Sequence, residues 1–96
     1  MSFEEIKNSI EQDLMNNGFH KDGEDLIRID RRQHQIVING QPSIREEEMT
    51  IKFSCLGEGS IDDVPTAGFA MYIDNHNVTD VWCTCLEDFR YLTQKI

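Results

Sequence analysis

Met49-Thr50-Ile51-Lys52-Phe53-Ser54-Cys55 alternates apolar with polar side chains for seven residues. A period of two sends successive side chains to opposite faces of a strand, so this stretch predicts a half-buried strand with Met49, Ile51, Phe53 and Cys55 on the covered side. Just upstream, Leu26–Asp30 and His34–Ile38 are rich in β-branched residues, and Asn39-Gly40 follows them. Asn-Gly accepts the positive φ angles that a tight hairpin turn requires, so strands are expected on both sides of it.

Toward the N-terminus, Ser2-Phe3-Glu4-Glu5 has the form of a capping box. Phe3, Ile6, Ile10 and Leu14 recur at helical spacing before Asn17-Gly18, which predicts a helix over residues 3–16. Toward the C-terminus, residues 56–67 are glycine-rich and acidic and read as a long loop ending near Pro65. A last hairpin follows, in which a three-residue loop Asn75-His76-Asn77 sets Met71 opposite Val81 and Phe69 opposite Cys83. The same register pairs Tyr72 with Asp80 and Ala70 with Trp82 on the other face. Thr84 with Glu87 forms a second possible capping box, and Leu86, Phe89, Leu92 and Ile96 predict a short closing helix.

This order predicts an α+β fold: an antiparallel sheet of four to five strands with an N-terminal and a short C-terminal helix packed on one face. Ninety-six residues without a linker or internal repeat form a single domain, 1–96. Ile10, Leu14, Ile51, Phe53, Met71 and Val81 are its expected core.

The longest apolar runs, Ile36–Ile38 and Phe69–Ile73, fall far short of the roughly 18 residues that span a bilayer, so no membrane role is expected. The acidic start and the odd cysteine count of three speak against a secretory signal and a disulfide framework, and the expected location is cytoplasmic. A net charge of −9 repels nucleic acid, so direct nucleic-acid binding is not expected.

Candidate chemistry is thin. Cys83-Thr84-Cys85, Cys55 and three histidines lack the paired C-x₂₋₄-C spacing of structural zinc sites, and Cys83 and Cys85 read as small apolar residues continuing the face of Val81. His20, His34 and His76 sit in turns or at strand ends, where nothing would orient them as bases for a thiol. Asp74–Thr79 lacks the glycine and glutamate of a calcium loop, and Gly57-Glu58-Gly59 lacks the lysine of a phosphate loop. Asn77-Val78-Thr79 matches a glycosylation acceptor, which matters only in secreted chains. No metal, no cofactor and no catalytic residue is assigned, and the chain is not expected to be an enzyme.

The charge itself is the signal that remains. Between Glu46 and Asp80 lie eight acidic residues (Glu46, Glu47, Glu48, Glu58, Asp62, Asp63, Asp74 and Asp80) against Lys52 alone, which leaves −7 there and −2 elsewhere. A strand rises about 3.3 Å per residue and a DNA strand about 3.4 Å per phosphate, so carboxylates along a strand can imitate a phosphate backbone. Tyr72 and Trp82 share a face with Asp74 and Asp80 in the expected register, and aromatics beside carboxylates suit an interface, unless a helix covers that face. The expected function is a small acidic inhibitor that mimics nucleic acid, blocking the basic nucleic-acid-binding surface of a partner protein in the manner of phage anti-restriction or anti-CRISPR proteins. The alternative is an accessory binder, such as a secretion chaperone or toxin immunity protein; a Cys- or metal-dependent enzyme ranks last.

Overall fold

The capping box forms as its residues dictate. In the computed structural model, which describes residues 1–94, the Glu5 amide donates to the Ser2 hydroxyl and the Ser2 amide donates to the Glu5 carboxylate, each at 3.2 Å. Helix α1 then runs Phe3–Asn16 and buries Ile6, Ile10 and Leu14. Gly18, at φ 89°, turns the chain out of the helix, and the next residue, Phe19, is buried.

Five strands follow as a simple meander: β1 His20–Asp22, β2 Asp25–Ile38, β3 Gln41–Ile61, β4 Val64–Ile73 and β5 His76–Cys83, each antiparallel to the next. Three of the turns hold positive φ at both central residues: Asn39 and Gly40 (52° and 76°), Asp62 and Asp63 (49° and 64°), and Asp74 and Asn75 (50° and 66°). That is the geometry matching the right-handed twist of the flanking strands. Helix α2, Leu86–Thr93, closes the described chain.

Both helices lie on the sheet face that carries Ile51, Phe53, Phe69, Met71, Val81 and Cys83. Phe89 of α2 meets Phe53 and Phe69 edge-on, at centroid distances of 5.2 and 5.7 Å. All six expected core residues are buried there. Arg90 reaches Asp13 at 2.6 Å and Lys21 reaches the buried Glu11 at 3.5 Å, tying α2 and β1 to α1.

Four expectations change. Residues 56–61 are strand rather than loop, joined to β4 by the two-residue Asp62-Asp63 turn, because a bulge at Leu56 restores pairing with β4 as far as Ile61. The last hairpin turns at Asp74-Asn75, and an extra residue at Val78 then sets Met71 opposite Thr79, Phe69 opposite Val81, Ala70 opposite Asp80 and Gly68 opposite Trp82. The slip from the expected register is two residues, so every side chain keeps its face. His20–Asp22 forms a strand that its polar composition conceals. At α2 the partner of Thr84 is Asp88, which accepts from its amide and hydroxyl, rather than Glu87. Ile96 lies outside the described residues.

The strands are of unequal length, which gives the molecule its shape. Pairing with β1 stops at Ile27 and pairing with β4 stops at Ile51, yet β2 and β3 remain paired out to Ile38 and Gln41. The outer part of this hairpin is a two-stranded arm projecting from the body, and the whole measures 61 × 23 × 20 Å.

Candidate functional site

The acidic residues divide into groups rather than forming one track. Consecutive residues of a strand point to opposite faces, so Glu46 and Glu48 lie on one side of the arm and Glu47 on the other. Each meets a group on β2: Glu48 accepts from Arg31 at 3.1 Å, Glu46 from the Gln33 amide at 3.2 Å, and Glu47 lies 3.1 Å from His34 Nε2. From residue 31 to residue 48 the arm carries three arginines and three glutamates, so the entire −9 resides on the body.

Glu58, Asp62 and Asp63 stand near the opposite end of β3, roughly 35–45 Å from Glu48 at strand rise. Glu58 pairs with Ala67 on the helix side, while the two aspartates form the β3–β4 turn. Asp74 sits at the root of the arm, where its carboxylate accepts from the Thr50 amide at 3.0 Å. Asp80 accepts from the Asn77 side chain at 3.1 Å.

Trp82 and Tyr72 do share a face with Asp80, and it is the face that the helices leave open. Tyr72 carries the Lys52 ammonium 4.6 Å above its ring. Trp82 is held differently. Its indole lies against Gly68 and Gly59, and a Cβ built on Gly68 would stand only 2.6–2.7 Å from three ring atoms; at Gly59 the nearest ring atom would be 2.9 Å away. The glycines that read as loop residues are the floor on which the indole rests.

Trp82 remains 42% exposed. With Gly59, Ser60, Ile61 and Thr66 it lines a cavity of about 350 Å³. Thr66 is buried, and its hydroxyl is an orphan among the described residues. An unmatched buried polar group costs about 1–3 kcal/mol, and a partner group entering the cavity would remove that cost. Ile61 and Val64 are exposed beside it, the Asp62-Asp63 turn joins them, and Asp80 stands two residues before Trp82 on the same face. Along the open face Trp82 therefore stands between the Asp62-Asp63 turn, which lies beyond Ile61 and Val64, and Asp80, whose partner Ala70 is two residues from Tyr72; Asp74, Glu58 and the arm glutamates lie elsewhere.

A second surface escaped the sequence reading. Val37, Ile38 and Ile44 at the arm tip are 73%, 53% and 65% exposed. Apolar residues flanking Asn39-Gly40 on both strand faces were its only signal.

Of the two cysteines expected to continue the face of Val81, Cys83 does so as a small apolar residue, whereas Cys85 lies beyond β5 as the N-cap residue of α2. Cys83 is fully buried, and that burial, reinforced by Asp88 and Cys85 nearby, pushes its thiol up to about 12, so it stays protonated at neutral pH. Cys55 and Cys85 are half-buried and free. Among the described residues no group of three or more His, Cys, Asp or Glu is placed to hold a metal, and no helix is long and apolar enough to cross a membrane. No family model, characterised protein or solved structure matches the chain.

Proposed function

We propose that this chain is a non-catalytic binding protein that docks on a basic protein surface through Trp82 and the carboxylates around it, occluding a surface its partner presents to nucleic acid. The observation that carries this reading is the mounting of Trp82: a half-exposed indole on a glycine floor, beside a cavity with an unpartnered hydroxyl, with the Asp62-Asp63 turn beyond the cavity and Asp80 on the other side of the ring. Aromatic anchors in partly desolvated pockets supply most of an interface's energy, and surrounding charge supplies encounter rate and selectivity. Mimicry in this form rests on the acidic body and not on Glu46–Glu48, whose charge the arm itself balances.

The test is retention of host proteins on the immobilised chain, with elution by salt and by a competing oligonucleotide. Proteins held by the wild type should be released by the oligonucleotide, and both Trp82→Ala and the Asp62→Lys, Asp63→Lys double variant should fail to hold them. Retention that neither the oligonucleotide nor these substitutions disturb overturns the proposal. An accessory binder draws instead on the apolar arm tip; it requires salt-resistant retention of one protein, lost on Val37→Asp and kept in Trp82→Ala.

A further inference from the structure

We propose that the outer edge of β2 pairs antiparallel with the same edge of a second copy, about a two-fold axis at Gln33. The inference is independent of the Trp82 site and starts from which way the arm's peptide groups point. At the root of the arm the Asp74 amide donates to the Thr50 carbonyl at 2.9 Å and the Thr50 amide donates to the Asp74 carboxylate at 3.0 Å, so Thr50 faces away from β2. Alternation then turns Glu48, Glu46, Ile44 and Pro42 outward on β3. Their neighbours Met49, Glu47, Arg45, Ser43 and Gln41 bond to Asp30, Arg32, His34, Ile36 and Ile38, since the β2–β3 register has no bulge. On β2 the amides and carbonyls of Ile29, Arg31, Gln33, Gln35 and Val37 are therefore the ones that point outward.

The two edges of the arm differ in protection. Along β3, Pro42 offers no amide, the Asp74 carboxylate occupies that of Thr50, and Glu46, which meets only the neutral Gln33 amide, places negative charge at an outward position. These are the devices by which exposed edges resist pairing. Along β2 there is no proline, and the charge of Arg31 is already paired with Glu48.

Length and side chains both select a second copy as the occupant. The free edge begins at Arg28, next to the Ile27–His20 pair, and ends at Ile38, before the turn. Its midpoint is Gln33. Antiparallel pairing about that residue uses the whole edge and places Ile29 against Val37 of the second copy, Arg31 against Gln35, and Gln33 against Gln33. On the other face it sets Arg28 against Ile38, Asp30 against Ile36, and Arg32 against His34. No arginine opposes an arginine and no carboxylate a carboxylate, while the apolar pair occurs twice by symmetry. Five outward residues per copy exchange about ten hydrogen bonds and turn a two-stranded ribbon, marginal by itself, into a four-stranded sheet. The neutral arms meet, and the two acidic bodies are held at opposite ends, about 30 Å of strand apart, well beyond the roughly 8 Å screening length at physiological salt.

Sedimentation of the full chain is the first measurement. The wild type should run as a dimer of the 11.2 kDa chain. Gln33→Pro, which deletes a central outward amide, and Val37→Lys should weaken dimerisation by about tenfold or more, equivalent to about 1.4 kcal/mol. Ile44→Lys, on the protected edge, should leave it unchanged, and thermal melts report whether each body stays folded. Independently of these variants, Gln33→Cys should form a symmetric interchain disulfide on mild oxidation, because facing residues of a hydrogen-bonded pair lie about 5.5 Å apart at Cα, within disulfide reach. Gln35→Cys, which faces Arg31 in this register, should not cross-link to itself. A monomeric wild type at the highest soluble concentration, or cross-linking at position 35 as efficient as at 33, overturns the proposal.

Discussion

The body and the arm are built from the same two strands and are held by different forces. Near the helices, Ile51 and Phe53 of β3 bury their side chains beneath α1 and α2, and the rings run in contact from Phe19 to Phe53 to Phe89 to Phe69. Ten residues further out on the same strand, Ile44 and Ser43 have solvent on both faces, and side-chain contacts run only across to β2. Burial of apolar area at about 25 cal/mol per Å² stabilises the first region, whereas cross-strand pairs worth about 0.2–1 kcal/mol each stabilise the second. A strand therefore ends where its turn places it, not where its cover ends, and the uncovered remainder is the part free to meet another chain.

The contrast breaks most visibly in the core. Phe53→Ala should destabilise the protein by about 3–5 kcal/mol in chemical denaturation, because the rings of Phe19 and Phe89 pack around the void and Leu26 stands opposite it. Ile44→Ala, in the arm, should stay within about 0.5 kcal/mol of the parent. Equal effects at the two positions would mean that the arm is packed like the body.

Gly68→Ala sharpens the comparison on the open face. The new methyl would stand 2.6–2.7 Å from the indole, so Trp82 must leave its seat, at an expected cost of about 1–3 kcal/mol and with a red shift of its fluorescence. Combining it with Trp82→Ala should erase most of the extra cost of the glycine change, since the clash disappears with the ring. An additive double variant would show that the glycine serves the backbone alone.

The smallest effect concerns the junction of β5 and α2. The Thr84 hydroxyl and amide donate to Asp88 and hold its carboxyl below the usual aspartate range. A group with a lowered pKa in the folded state stabilises above the unfolded value and loses that contribution as pH falls through the folded one. Thermal melts between neutral pH and pH 3 should show an acid-induced loss slightly smaller in Asp88→Asn than in the wild type, the remainder coming from groups such as Glu5 that are also held low, and the difference is small because this carboxylate is near solvent.

The elements legible in the sequence were those whose causes are local. Ser2 and Glu5 cap the helix that begins beside them, Asn39-Gly40 makes the turn where it stands, and the alternation from Met49 to Cys55 is its own evidence for a strand. The acidic residues were legible as charge but not as a site, because Glu46–Glu48 meet their partners Arg31, Gln33 and His34 only once the hairpin is paired. The open face was the same kind of question: alternation places Tyr72, Asp80 and Trp82 together, but only the docking of α1 and α2 selects which side they cover.

Residues 56–61 mark the boundary most clearly. Glycine at 57 and 59 and aspartate at 62 and 63 argue locally for a loop, and that reading is sound as propensity. What overrides it is Trp82, more than twenty residues away, whose ring needs bare backbone at Gly59 and Gly68 and receives it only when β3, β4 and β5 lie side by side. Local sequence determined the helix start, the turn and the strand period, because backbone conformation responds to near neighbours. The tertiary structure alone decided which glycines became strand, which carboxylates were matched and which edge was left open, because those outcomes depend on groups that only folding brings together.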